Sequence, residues 1–531
     1  MNMIDSTTLT LCIVALSAIL CLPIARRPTQ GLTDIPTYGP SGGPIFGVYN
    51  SFCLLLRGRK VIDDAYALLS SAVYVAGSSK GRKPQIFKMQ LFSGWNVFVL
   101  GKNHIADVRS AKGKDLSLYH AQNDILALDY TIGSVPSDED DLHNKVLQRM
   151  LASNYTENGS DLYDETATAL DVILPISHDG WHAAKFYDSL LSIIARVTNR
   201  FYVGEPLCRD VRYIALVMDF VQGVPQAGML INVFPRWLHT YIARYISPLP
   251  KYQKRALSVF GDLISERIAL HDEHGKDWDL KPRDMITWFL EEAEPHQRNA
   301  ETITIRILRV NFAGLMSTSF FLPQILYKLM SFPESEYIAP IREEIDAVVE
   351  KFGWTKEALG KMYKLDSFMR EVARTKGFSA LVLHRKVMSP GGWAFHDGIT
   401  IPAGTHLSAA SCISNIHESA FEDPTVFDGM RFARMYEREV AEKAAVGEAE
   451  AALGMKYQLT SPSLDNLFYG VGKHACPGRF IMTFIMKLQV AVVLHKYDIK
   501  MNNKLAYKDN WVGTVCMPDK KAEILYRNRS S

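Results

Sequence analysis

Apolar residues recur at a spacing of three to four along most of the chain after residue 45, which is the periodicity of amphipathic helices. The clearest examples are residues 257–270, 303–322 and 480–494. Short runs rich in β-branched and aromatic residues predict fewer strands, at residues 85–91, 97–100, 394–396 and 399–401. Asp397-Gly398 predicts a hairpin turn between the last two runs. The expected fold class is mainly α with a smaller β portion.

The start of the chain differs from the rest. Residues 9–25 carry no charge, and Arg26 and Arg27 follow at once, which is typical of one membrane-spanning helix. Because only Asp5 precedes the span, the body is expected on the cytosolic side. A cleaved signal peptide is the alternative, but residues 1–6 lack its basic start. We expect an anchor at 1–27 that crosses a membrane once and contacts its lipid.

Behind the anchor, residues 28–45 are rich in Pro and Gly, which disfavours a helix or a central strand. This predicts a stiff hinge at 28–45. No comparable linker interrupts residues 60–525, so residues 46–531 are expected to form one large domain. With that unit in the cytosol, the sequons are expected to stay unglycosylated; they begin at Asn154, Asn158 and Asn528.

Composition narrows the class of protein. The 531 residues include 59 Lys+Arg against 57 Asp+Glu, and 47% are hydrophobic. These are ordinary globular values, which disfavour disorder and a multi-span membrane protein. A net charge of +2 creates no strong positive potential that would attract a polyanion, so nucleic acid is not expected as a partner. The seven cysteines are scattered without a CxxC pair, so we expect a reduced chain in which a cysteine can serve as a ligand.

The most informative stretch is LFYGVGKHACPGR at residues 467–479, where three glycines surround Cys476. Glycines let the backbone approach a flat cofactor closely. Pro477 and the apolar run behind it predict that Cys476 lies at a helix N-terminus. The helix dipole and the nearby Lys473, His474 and Arg479 are expected to favour the thiolate, a strong iron ligand. A buried inert cysteine in a glycine-rich turn is the alternative.

This stretch resembles the cysteine-ligand loop of the cytochrome P450 haem-thiolate monooxygenases, whose pattern is F-x-x-G-x-[RH]-x-C-x-G. Gly472, His474, Cys476 and Gly478 match it, and Tyr469 stands at the position of the Phe. The resemblance implies the fold of that family, with a single haem-enclosing domain. It also implies that Cys476 is the axial ligand of the haem iron, and that the matching Gly and His residues help to bind haem.

Two further segments match the family in order and spacing. Glu371 and Arg374 in FMREVAR share one face of a predicted helix. FDGMRF at residues 427–432 resembles the family's PERF segment, with Arg431 as its arginine. The resemblance implies a buried network of Glu371, Arg374 and Arg431 that braces the proximal side of the haem, since buried charges are tolerated only when paired. Taken alone, the first pair also fits an exposed surface.

The haem propionates require basic partners. LHRKVM places His384 and Arg385 ahead of a strand, where family members often have such a group, and Arg385 is the better candidate. An exposed charge at a strand end is the alternative. The family's W-x-x-x-R helix is represented by LHNKVLQRML, which lacks the tryptophan but offers His143 and Arg149. The resemblance makes Arg149 the second propionate partner.

NFAGLMSTS at residues 311–319 resembles the family's distal pattern [AG]-G-x-[DE]-T-[TS]. Ala313 and Gly314 match, whereas Met316 replaces the acid and Ser317 the first threonine, with Thr318 following. The resemblance implies that Ser317 and Thr318 are catalytic hydroxyls that help deliver protons, which Met316 cannot relay. Plain helix packing with hydroxyls bonded back to the helix is the alternative.

The segments LHRKVM, IPAGT and HACPGR most resemble those of fungal microsomal members that act on terpenoid-type secondary metabolites. The resemblance therefore implies a monooxygenase of the endoplasmic reticulum membrane that oxidises a small apolar substrate of this type with O2 and NADPH-derived electrons. The electrons would come from a membrane-bound NADPH reductase. Met316 and Ser317 keep open a haem-thiolate isomerase or dehydratase that needs no reductase. A haem-binding protein without turnover is a third hypothesis. The apolar, aromatic residues 216–245 match the place of the family's substrate-access helices, although core packing explains the same composition.

Overall fold

The computed structural model describes residues 32–75, 85–133, 142–143, 145–147, 159–177, 180–276, 278, 280–417, 421–444, 453–502, 507 and 509–529. The expected anchor at 1–27 lies outside these residues, as do Arg149 and the sequons at Asn154 and Asn158. Asn528 is described and ends the last strand, where it is exposed.

Helices make up most of the described chain, as the apolar periodicity predicts. In chain order they are α1 Pro44–Val75, α2 Lys102–Ser110, α3 Leu118–Leu126, α4 Gly159–Ile173, α5 Phe186–Tyr202, α6 Val211–Asn232, α7 His239–Ile246, α8 Leu249–His274, α9 Met285–Glu292, α10 Ala300–Met330, α11 Ile338–Phe352, α12 Lys356–Lys361, α13 Tyr363–Thr375, α14 Ser411–His417, α15 Arg431–Ala444, α16 Leu453–Lys456 and α17 Arg479–Lys496. The three helical segments predicted above fall within α8, α10 and α17, which confirms them.

The strands are short and form several small sheets. They are β1 Ile86–Leu91, β2 Gly94–Val99, β3 Leu116–Ser117, β4 His182–Lys185, β5 Leu381–Val387, β6 Trp393–Ala394, β7 Thr400–Ile401, β8 His406–Ala410, β9 Tyr497–Met501, β10 Asn510–Val512, β11 Val515–Met517 and β12 Glu523–Asn528. The largest sheet has the order β1-β2-β8-β5-β3, with β2 and β8 parallel and its other pairs antiparallel. The fold class, mainly α with a smaller β portion, is confirmed.

Helix α10 runs through the centre of the main hydrophobic core. It begins at Asn299, whose side chain accepts a hydrogen bond from the backbone N–H of Thr302 at 2.8 Å, as an N-cap residue should. Its residues are apolar on nearly every face, and most of them are buried against α5, α6, α8 and α17. A helix that is hydrophobic all round requires this kind of central position.

Helix α6 is the one helix among the described residues that is long and apolar enough to cross a membrane. It packs instead against α3, α8 and α10, and Tyr213 and Phe220 contribute to the main core. Pro225 lies inside it. Its composition is therefore accounted for by packing within the body.

The expected hinge at 28–45 does not stand apart from the body where it is described. Leu32 and Ile35 are buried in the same cluster as the large sheet. Thr37 pairs with Lys88 of β1 in an isolated parallel bridge, and α1 already begins at Pro44. From residue 32 onward this segment is part of the folded unit, because its few apolar side chains find partners on β1 and its neighbours.

Candidate functional site

The cysteine loop, residues 467–478, contains a short 3-10 turn at Gly472–His474 and ends where α17 begins. The backbone N–H of Cys476 donates to the carbonyl of Tyr469 at 2.7 Å, which closes the loop. Gly472 has φ +69°, and a Cβ there would lie within 2.9 Å of the Arg109 carbonyl oxygen. A side chain at this position is therefore excluded both by backbone conformation and by space.

Aromatic side chains hold the loop from the interior. The Tyr469 hydroxyl lies 2.8 Å from the Thr483 hydroxyl of α17. The ring of the neighbouring Phe468 packs against Phe321 of α10, with centroids 4.3 Å apart, and against Phe378. Tyr469 at the family's Phe position thus adds a hydrogen bond to α17, and Phe468 supplies the apolar contact with α10.

Burial raises the pKa of the Cys476 thiol, although the backbone N–H of Gly478 and the charge of Arg479 oppose this. The sequence predicts that the helix end and the basic residues Lys473, His474 and Arg479 together favour the thiolate, and in the protein alone burial works against this. Desolvation of the sulfur outweighs the helix end and the nearby basic groups. A bound metal ion would favour the thiolate at Cys476, because coordination to a metal deprotonates a thiol outright.

Behind the loop, Glu371 and Arg374 of α13 form a two-pronged ion pair, with N to O distances of 2.8 and 2.7 Å. Arg431 at the start of α15 approaches the same carboxylate at 3.4 Å, and the backbone N–H of Asp428 donates to it at 3.0 Å. All three charged side chains are buried. The remaining N–H groups of the two arginines donate to backbone carbonyls, namely those of Asn415, Glu422, Asp423, Pro424 and Val426.

Across from the loop, α10 presents small residues. A Cβ on Gly314 would collide with the hydroxyl of Tyr202, so only glycine fits there. The Ser317 hydroxyl donates to the carbonyls of Ala313 and Gly314 at 3.2 and 3.4 Å. Thr318 is buried and donates to the Gly314 carbonyl at 2.6 Å. Both hydroxyls are bonded back to the helix, and only the bonds of Ser317 are long.

The loop and α10 border one cavity of about 1470 Å³. Cys476, Gly478 and His474 of the loop line it, and so do Gly314, Ser317 and Thr318 of α10. Most of the remaining wall is apolar. The structure therefore brings together the loop and the distal helix that lie far apart in the sequence. His143, which shares a segment with Arg149, also lines this cavity.

Arg385 enters the cavity wall from within β5, not ahead of a strand as expected. Strand β5 extends farther because its side chains alternate between buried and half-buried along Leu381–Val387. The register against β8 shifts between Val382 and Arg385, where Leu383 has φ +54°. The guanidinium is buried, and burial lowers its pKa to about 10.

The surroundings of Arg385 test whether haem fits. Its Nη1 donates to the backbone carbonyl of His384 at 2.8 Å, and no carboxylate of the described residues forms an ion pair with it. A buried cation without a counter-charge is costly unless an anion joins it. A haem propionate is such an anion, and Cys476 offers sulfur to the iron from the wall of the same cavity. The residues present fit haem.

One polar group in the cavity wall carries no sequence motif. Asp124, at the end of α3, accepts hydrogen bonds from Lys386 at 2.6 Å and from His406 at 2.9 Å. Arg236 approaches the same oxygen at 2.6 Å. These four residues come from four separate segments, so no local spacing could have identified them.

Comparison with known proteins agrees with this geometry. Residues 188–526 match the family described as Cytochrome P450. The chain is 29% identical over 527 residues to cytochrome P450 monooxygenase 71 of Postia placenta, covering 98% of both chains. It is 27% identical over 484 residues to ent-kaurene oxidase P450-4 of Gibberella fujikuroi, covering 89% of this chain and 91% of the relative.

Among solved structures, the fold is similar to that of the retinoic acid bound cyanobacterial CYP120A1. The TM-score is 0.59 at 16% identity, and the match covers 84% of this chain and 92% of the other. The family match extends over well more than half of the chain and includes the distal helix, the Glu371 network and the cysteine loop. The chain therefore belongs to the cytochrome P450 family and is a monooxygenase of that family.

Proposed function

We propose that this monooxygenase is a haem-thiolate enzyme that oxidises a small apolar molecule of terpenoid type with O2 and NADPH-derived electrons. The observation that supports it most is the cavity, which has Cys476 in one wall and Ser317 in another. When bound there, haem supplies oxygen activation, since a thiolate ligand donates electron density that favours O–O cleavage.

In this proposal Cys476 ligates the iron, and the glycines of its loop let the backbone approach the porphyrin. Gly470 and Gly478 line the cavity, which supports that close approach, whereas Gly472 packs against Arg109. Arg385 and Arg149 would pair with the propionates, together with His474. The lack of any carboxylate partner for Arg385 among the described residues supports its part. The Glu371, Arg374 and Arg431 network would hold the segments behind the loop in place.

Ser317 would hold and deliver protons in the cavity. Ser317 lines the cavity, and its hydroxyl makes only long hydrogen bonds of 3.2 and 3.4 Å to helix carbonyls. Rotation of the hydroxyl toward the cavity therefore breaks only weak hydrogen bonds. Thr318 is bound more tightly, at 2.6 Å, and would act as a secondary hydroxyl. Met316 lines the same cavity but cannot relay a proton. We therefore assign the main proton-handling role to Ser317.

The substrate would be an apolar molecule because most of the cavity wall is apolar. Phe98, Leu126, Phe234, Phe321 and Met482 are among its lining residues. Such a wall excludes water and orients a hydrocarbon by shape more than by hydrogen bonds. The relative named ent-kaurene oxidase is named for the oxidation of a terpenoid, which supports this substrate class.

We further propose that residues 1–27 anchor the enzyme in the endoplasmic reticulum membrane by a single pass. Residues 28–45 would lead from that anchor to a cytosolic catalytic domain at 46–531, and their part from residue 32 onward packs on that domain. A membrane-bound NADPH reductase would deliver the electrons. Arg109 lies against Gly472 beside the cysteine loop, and Lys473 belongs to that loop. Their positive charge supports docking of an acidic flavoprotein at this face.

The test is the absorption spectrum of the full-length protein, reduced and bound to carbon monoxide. We expect the strongly red-shifted Soret band that a thiolate opposite carbon monoxide produces. Cys476→Ala should lose that band, and persistence of the band in this variant would overturn the assignment. Reconstitution with a reductase should then give substrate-dependent NADPH consumption. Product formed without NADPH would instead indicate an isomerase or dehydratase.

A further inference from the structure

The four residues around Asp124 form a polar unit, here called the Asp124 cluster: Asp124, Arg236, Lys386 and His406. Lys386 and His406 lie on the neighbouring strands β5 and β8, and Arg236 lies in the turn between α6 and α7. All three donors meet the same carboxylate oxygen, Oδ2. The other oxygen, Oδ1, accepts none of these bonds.

The cluster holds more positive than negative charge. Lys386 and Arg236 are both cations at neutral pH. Asp124 is the single carboxylate that pairs with either cation among the described residues. Although burial opposes it, hydrogen bonds from His406 and Lys386 and the nearby cations hold the pKa of Asp124 well below its usual range. Its one negative charge therefore leaves at least one cation uncompensated.

This excess charge faces the substrate cavity. Asp124, Arg236 and His406 line the same cavity as Cys476, and Lys386 supports Asp124 from β5. The neighbouring His384 adds no charge at neutral pH, because burial lowers its pKa to about 4. Lys386 and Asp124 are 13% and 16% exposed and form the buried pair, whereas the Arg236 side chain is 56% exposed. Water solvates the Arg236 charge in the free protein, and its position in the cavity lining leaves it available to an anion that enters the cavity.

We propose that the Asp124 cluster binds the carboxylate of an otherwise apolar substrate, which makes that substrate an amphiphilic carboxylic acid. This inference rests on the proposed function, since it concerns the same cavity. Arg236 and His406 are the donors that the acid would meet, while Lys386 stays with Asp124. The acid would be fixed at this wall, leaving the hydrocarbon part free to reach the wall that carries Cys476.

The experiment uses probes that do not require the true substrate. Imidazole-tipped alkanoic acids of increasing chain length ligate the haem iron through the imidazole and extend a carboxylate into the cavity. The matched alcohols have the same reach without the charge. Spectral titration of the full-length haem protein gives both dissociation constants. At the best chain length, we expect the acid to bind about tenfold more tightly than the alcohol, as a charge-assisted contact should.

Variants then locate the contact. Arg236→Gln should abolish the preference for the acid, whereas Arg255→Gln should keep it. Arg255 is a matched control because it also pairs with one aspartate, Asp219 at 2.7 Å, and is also partly exposed, but it is not among the residues that line the cavity. Asp124→Asn removes the competing carboxylate, so it should strengthen acid binding and leave alcohol binding unchanged.

Two results would overturn the inference. Equal binding of acid and alcohol at every chain length, in a protein that shows the red-shifted carbon monoxide band, would exclude an anion site. Equal weakening of both probes by Asp124→Asn would indicate that the cluster only ties the four segments together. Absence of the carbon monoxide band, by contrast, would refute the proposed haem-thiolate function, so the two failures are distinguishable.

Discussion

The Glu371 network and the Asp124 cluster each place several basic side chains around a single carboxylate. They differ in what the surplus N–H groups of those basic side chains contact. Around Glu371, the surplus N–H groups of Arg374 and Arg431 donate to backbone carbonyls, so the network is closed by the protein itself. Around Asp124, the observed contacts of Lys386 and Arg236 lead only to Asp124, and the unit borders the cavity. A closed network serves the fold, whereas an open one has capacity for a ligand.

The largest expected effect comes from opening the closed network. Arg374→Ala would leave the Glu371 carboxylate buried with the longer 3.4 Å contact to Arg431 as its single ion pair, beside the backbone N–H of Asp428 at 3.0 Å. Loss of one partner of a buried pair costs about 3–5 kcal/mol. We expect a very low yield of haem-loaded protein and a lower urea midpoint. Arg212→Ala is the control, because Arg212 pairs with Asp210 on an exposed surface, and it should leave the midpoint unchanged.

If Arg374→Ala and Arg212→Ala unfolded at the same urea concentration, the Glu371 network would not be a structural unit, and the contrast with Asp124 would fail. Equal yields of haem-loaded protein from the two variants would lead to the same conclusion.

Arg385 extends the comparison to the haem site, because this buried cation has no carboxylate partner among the described residues. Arg385→Gln should weaken haem binding by about 2 kcal/mol, the size of a charge-assisted hydrogen bond. The measurement is the rate of haem transfer to excess apomyoglobin, expected to rise tens of times. Arg385→Lys retains the charge and should release haem at an intermediate rate. An unchanged rate in Arg385→Gln would show that no propionate contacts this residue.

The same contrast explains how far the sequence could predict this protein. The long helices α8, α10 and α17 were predictable because each must bury a continuous apolar face, which leaves a periodic pattern. Cys476, Glu371, Arg374 and Arg431 lie in short segments of fixed spacing, so a family resemblance was enough to select them. Their roles in haem binding stay predictions.

What the sequence missed depends on burial and on contacts between distant segments. The depth of Cys476 decides the direction of its pKa shift, and that depth is not visible in the loop's residues. Likewise Asp124, Arg236 and His406 meet only because a helix end, a turn and a sheet converge on one cavity wall. The spacing of these residues along the chain therefore does not predict that they contact one another.

The smallest expected effect concerns His384, which tests whether the charge at this wall belongs to the Asp124 cluster alone. Burial, with the nearby His406 and Arg385, lowers its pKa from 6.5 to about 4. Between these values the unfolded chain binds a proton that the folded chain does not, so stability is lost as pH falls through this window. The loss reaches about 2 kcal/mol near pH 5 and is absent above about pH 6.5.

His384→Gln should therefore lose less stability than the wild type between pH 7 and pH 5, by roughly this amount. The measurement is urea unfolding at each pH, and the exposed His274→Gln should follow the wild type. Identical pH profiles for His384→Gln and the wild type would mean that His384 carries its charge in the folded protein, and the open charge at this wall would then not belong to the Asp124 cluster alone.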